Sequence, residues 1–139
     1  MKKLGIVAVG VAAALLVPVT AASADIGSPT IAVTSTPTVK KVTWKTKSGT
    51  KIIRYLVSFR TSVSGWKMDP AAIGTGKKID GVGHYHIYID GKYSGASADA
   101  SAGTGRIPRL GTGVHELKVV LAYNEHTEIP ASAARPFAW

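Results

Sequence analysis

The sequence predicts an all-β protein: one antiparallel β-sandwich, immunoglobulin-like or cupredoxin-like, following a cleaved signal peptide. Three observations carry this reading. Apolar and polar residues alternate over short stretches, Gly, Pro, Asn and Asp punctuate the chain between those stretches, and no segment repeats its apolar residues at helical spacing. At a spacing of roughly 8 to 12 residues per strand, about six or seven strands fit the length. A small closed barrel is the alternative architecture.

Taken in order, the chain opens with Lys2 and Lys3, an apolar run from Leu4 to Val17, and the small-residue site Ala22-Ser23-Ala24. That is the pattern of a signal peptide over residues 1–24, leaving residues 25–139 as a single domain that begins at Asp25. Pro18, Thr20 and Ser23 keep the apolar run short of the roughly 20 residues a spanning helix needs, so no stable membrane span is expected after cleavage. The expected location is secreted, or periplasmic and within the cell envelope.

Thr30 to Ser35 and Val39 to Lys45 are β-rich runs separated by Pro37, and Lys47-Ser48-Gly49 turns the second into the next strand. There Ile53, Tyr55, Val57 and Phe59 alternate with Arg54, Leu56, Ser58 and Arg60, as a strand with one face on a core requires. Thr61 to Val82, broken by Gly65, Asp69-Pro70, Gly74, Gly76 and Gly81, reads as one long irregular connection. In the next strand Tyr85, Ile87 and Ile89 face one way and His84, His86 and Tyr88 the other, before Asp90-Gly91 closes a turn. Tyr93 to Gly105, rich in Gly, Ala and Ser, is expected to be a flexible loop or weak edge strand. Leu117, Val119, Leu121 and Tyr123 mark a further strand, and the tail, with Pro130 and Pro136, suggests one short edge strand ending at Phe137 and Trp139.

Zero cysteines in an exported chain exclude a disulfide framework and a thiolate metal site, so stability must come from the core or from a bound ligand. The formal net charge of +9 falls to +7 once Lys2 and Lys3 are removed, and much of the excess lies early, from Lys40 to Arg60. Such a surface suits anionic envelope components or a protein partner; a solvated face kept soluble by lysines is the simpler reading. Nucleic acid is not an expected partner, because no nucleic-acid-binding signature is present.

The chemistry-bearing residues are the four histidines. His84 and His86, at i and i+2 of one strand, project side by side; His115 and His126 flank the next strand. The segments Gly81-Val82-Gly83-His84-Tyr85-His86-Ile87-Tyr88-Ile89-Asp90-Gly91, Gly113-Val114-His115-Glu116-Leu117 and Asn124-Glu125-His126 resemble a largely uncharacterised family of small exported prokaryotic β-sandwich domains. Those domains share a G-x-G-H-x-H-x-x-x-D-G strand, a later G-x-H-x-L strand start and an Asn/Asp-x-His ending. The resemblance spans residues 81–126 and implies the sandwich fold.

Neutral imidazoles suit copper and zinc, so the expected cofactor is a copper or zinc ion, with His84, His86, His126 and His115 as candidate ligands. His126 is the favoured third ligand, with Glu125 and Glu128 near enough in sequence to ligate or to orient an imidazole. His115 shares the parity of Leu117 and Val119, which points it toward the core and makes a packing role the competing reading. Met68 is read as a packing residue. Without cysteine a blue-copper electron-transfer centre is excluded, leaving storage, scavenging or delivery of the metal, and no catalytic residues are assigned. The alternative is a non-catalytic interaction or structural module of the envelope with no metal, using Trp44, Trp66, Tyr93 and the lysines as contact surface.

Overall fold

A computed structural model describes residues 27–74, 76–107 and 109–139; the expected signal peptide, residues 1–24, lies outside them. Nine strands are present among the described residues: β1 (Thr30–Val33), β2 (Thr38–Lys45), β3 (Lys51–Ser64), β4 (Lys67–Met68), β5 (Val82–Ile89), β6 (Lys92–Ser97), β7 (Ala102–Ile107), β8 (Val114–Tyr123) and β9 (Glu128–Ala138). They form two separate sheets, so the architecture is a sandwich and not a closed barrel. In the first sheet β3 is central: β1 and β2 pair with it in succession, and β7 pairs with it over Tyr55 to Arg60. In the second, β5 lies between β8 and the pair β4 and β6, and β9 forms the far edge beyond β8. All pairings are antiparallel except that of β4 with β5. The chain crosses between the sheets three times, after β3, after β6 and after β7. No helix among the described residues is long and apolar enough to cross a membrane.

The alternation read from the sequence fills the core. Val57 and Phe59 from β3 meet Tyr85, Ile87 and Ile89 from β5 and Leu117, Val119 and Leu121 from β8, all buried. Fully burying one such side chain contributes roughly 1.5–3 kcal/mol, so this interface is the main source of stability. Four side-chain hydrogen bonds among the described residues tie the sheets together: the buried Tyr85 hydroxyl donates to the Ala102 carbonyl at 2.6 Å, Ser97 Oγ to the same carbonyl at 3.3 Å, Ser94 Oγ to the Arg106 carbonyl at 3.0 Å, and Arg135 Nη1 to the Val33 carbonyl at 3.2 Å. Burial pushes the Tyr85 phenol above its ordinary value, which keeps it a donor. Among the described residues, every strand and every core residue lies between Thr30 and Ala138.

Three sequence expectations are corrected. The segment Thr61 to Val82 is not irregular throughout: β3 runs on to Ser64, where β1 supplies its partner, and Lys67–Met68 adds β4 before a short 3-10 turn at Pro70–Ala72. The stretch Tyr93 to Gly105 holds β6 and β7 instead of a loop or single weak strand. Its small residues serve close approach, since a Cβ at Gly103 would strike the Phe59 ring and the Tyr85 hydroxyl. The tail is an 11-residue strand, longer than expected, because an edge position tolerates both prolines.

Candidate metal centre

The outward face of β5 carries His84, His86 and Tyr88, because Tyr85, Ile87 and Ile89 fill the core. Register sets Ala122 opposite His84 and Val120 opposite His86 on β8, and the short Ala122 side chain leaves room above it for an imidazole. That room is closed by the β8–β9 turn. The Tyr123 amide pairs with the Thr127 carbonyl and the His126 amide with the Tyr123 carbonyl, at 2.9 and 2.8 Å. This is a three-residue hairpin loop whose last position is left-handed, and His126 holds it with φ of 68°. Glycine is the usual occupant of such a position; a histidine there costs about 1 kcal/mol and is a pointer to function.

The turn brings His126 onto the β5 pair. One ring nitrogen from each of His84, His86 and His126 lies within 4.8 Å of the others. The ring centroids are 5.0 Å apart for His84 and His86, 4.9 Å for His84 and His126, and 5.3 Å for the stacked His86 and His126. An ion bound tetrahedrally at about 2.0–2.1 Å from each nitrogen would hold them roughly 3.3–3.4 Å apart, so small ring rotations suffice.

The hydrogen bonds define each ring's role. His86 Nδ1 lies 2.7 Å from Glu128 Oε1, and a carboxylate only accepts, so the proton sits on Nδ1 and Nε2 keeps its lone pair. That lone pair faces His126 Nδ1 at 3.1 Å, which donates to it; a metal ion would take the place of this shared proton. The Tyr88 hydroxyl donates to the same Glu128 oxygen at 2.6 Å, and the bond pushes the phenol up to about 12. Burial raises the Glu128 carboxyl, but the Tyr88 and His86 hydrogen bonds outweigh it and hold the group below its ordinary value. The carboxylate–histidine pairing is the usual way a ligating imidazole is oriented.

His84 forms the floor. It is fully buried, and neither ring nitrogen has a hydrogen-bond partner; the same holds for both amide atoms of the buried Asn124. Burial, with His86 and His126 beside it, lowers the His84 pKa to about 4, opposed by the neighbouring Asn124 amide, so the ring is neutral at pH 7. Asn124 lies beside His84 without a hydrogen bond of good geometry. Unpartnered buried polar groups cost about 1–3 kcal/mol each, and ligation would satisfy one of them with the lone pair that burial has kept free. The exposed side of the cluster is that of His126, with the half-exposed Tyr93 ring edge-on to His86 at 5.4 Å.

His115 is not brought to this cluster. It lies at the far end of β8, its Nδ1 2.7 Å from Asp90 Oδ2 and its Nε2 2.9 Å from the Gly111 carbonyl oxygen. Both partners are acceptors, so both nitrogens carry protons, and the Asp90 hydrogen bond raises the pKa. Its ring packs on Phe137 at 5.6 Å, as its parity implied. Asp90 also caps the Glu116 amide at 2.9 Å, so the pair fastens the Asp90-Gly91 turn to the start of β8. Met68 packs against the core. Of the two nearby carboxylates, Glu128 serves the site through His86, while Glu125 accepts from the Thr127 hydroxyl at 3.0 Å. Asn124 was legible only as part of the Asn-x-His ending, since nothing in the sequence marks it as buried. No family model, no curated protein and no solved structure matches this chain.

Proposed function

We propose that this chain is an exported metal-binding β-sandwich that holds one copper or zinc ion at His84, His86 and His126, for storage, scavenging or delivery. The observation that carries the reading is the convergence of three imidazoles around a buried, neutral and unpartnered His84, with Glu128 orienting His86. Copper leads zinc because imidazole sites favour Cu(II) over Zn(II) in the general affinity order. The exposed His126 side gives an ion a way in and out, which suits transfer better than a closed structural site. The crossing pattern, with β3 and β7 in one sheet and β5, β8 and β9 in the other, supports the immunoglobulin-like form over the cupredoxin-like one. X-ray absorption on the chain from Asp25 loaded with one equivalent of copper or zinc tests the site. Three imidazole nitrogens in the coordination sphere are expected, falling to two in His126→Gly. An imidazole count unchanged by that substitution would remove His126 from the site.

A further inference from the structure

The first sheet bears no carboxylate. From Ile26 to Met68 and again from Ala100 to His115 the sequence has no Asp or Glu, and β1, β2, β3 and β7 all lie within those two stretches. None of the sheet's lysines or arginines forms an ion pair among the described residues. Because Val57 and Phe59 point into the core, Arg54, Leu56, Ser58 and Arg60 point outward, and register places Lys40 and Arg106 on either side of Leu56. The β2–β3 hairpin runs past the end of β7, and there Lys45, Lys47 and Lys51 are exposed.

Two apolar features lie among these cations. Trp44 is 36% exposed on the same face, with the Arg54 guanidinium 5.0 Å above its ring. Where β7 ends, a notch of about 310 Å³ is lined by Ile52, Arg54 and Arg106 from this face and, at the sheet end, by Ile53 and Ile107, which share the parity of Tyr55. We propose that this face docks on an anionic phospholipid surface. Arg54 and Arg106 take a phosphate headgroup, Ile52 on the same face receives the first carbons behind it, and Trp44 sits at the lipid–water boundary. A soluble polyanion would match the charges but leave the isoleucine notch and Trp44 uncovered. A phospholipid covers both, and the pleated face is open enough to lie on a bilayer.

Vesicle flotation of the chain from Asp25 tests this, using mixed phosphatidylglycerol–phosphatidylcholine vesicles, phosphatidylcholine alone, and polyphosphate as a soluble competitor. The protein is expected to float with the mixed vesicles only and to be released by salt. With each basic residue contributing roughly fivefold, Arg54→Gln with Arg106→Gln lowers partitioning about 25-fold. Lys67→Gln with Lys92→Gln, which removes the same charge from the second sheet, leaves partitioning unchanged. Far-UV circular dichroism and metal uptake at the histidine site show that each variant is folded, and both are independent of lipid binding. Equal losses in the two double variants would reduce the effect to net charge and overturn the proposal. So would failure of the wild type to float, or polyphosphate binding that depends on Arg54 and Arg106 without vesicle binding.

Discussion

His126 holds a left-handed turn position that glycine fills without steric strain, so the residue best suited to the turn is the one that cannot ligate. His126→Gly is therefore expected to leave stability unchanged or raise it by up to about 1 kcal/mol while weakening metal binding. Thermal melting beside a metal titration of the same sample checks both halves. Glu128→Gln keeps the shape but weakens the hold on His86, and a 10- to 100-fold fall in metal affinity is expected by competition against a chelator. Metal-free stability also carries the sign of His84. Its folded pKa of about 4 lies below the unfolded value near 6.5, so the unfolded chain takes up the proton first. Stability from this group is whole above pH 6.5 and falls between 6.5 and about 4, by about 3 kcal/mol at most; His84→Gln should flatten that fall in urea melts. His115 works in the opposite sense. Its pKa is raised by Asp90, so its contribution is present below about 6.5 and is lost as pH rises through the folded value; exposure of Asp90 keeps it under about 1 kcal/mol.

The β5–β8 pair is the element on which the site is built, and Gly83 sets how closely the two strands approach. A Cβ at this position would collide with the Ala122 carbonyl oxygen and press on the Trp66 ring at 3.0 Å. Gly83→Ala should cost about 3 kcal/mol and displace His84 from its neighbours, read as a lower urea midpoint together with weakened metal uptake. The histidine pair and its outward face were legible because β5 has a period of two with large apolar residues on one side. The position of His126 was legible only as a strand end, since it depends on a turn whose left-handed residue is not the expected glycine or asparagine. Strands β6 and β7 were hidden for a different reason. Their Gly, Ala and Ser residues have little intrinsic preference for strands and pair because β5 and β3 offer open edges and because Phe59 and Tyr85 leave no space for larger groups.

At the scale of the whole molecule, the all-β class followed from alternation, turn residues and the lack of a helical period, whereas the assignment of strands to sheets depends on contacts distant in sequence. The fold separates two surfaces: the histidine cluster stands on the outer face of the second sheet, and the carboxylate-free face belongs to the first. A ligand that binds only the folded state adds about 2.7 kcal/mol at a hundredfold excess over its dissociation constant, so saturating metal should raise the melting temperature by on the order of 10 °C. The most direct test of the central claim is the metal content of the chain from Asp25 after copper or zinc loading and gel filtration, compared with His86→Ala combined with His126→Gly. One ion per wild-type chain, and none in a folded double variant, is the expected result. Equal metal in both proteins, or none in either, would contradict a centre built from these histidines.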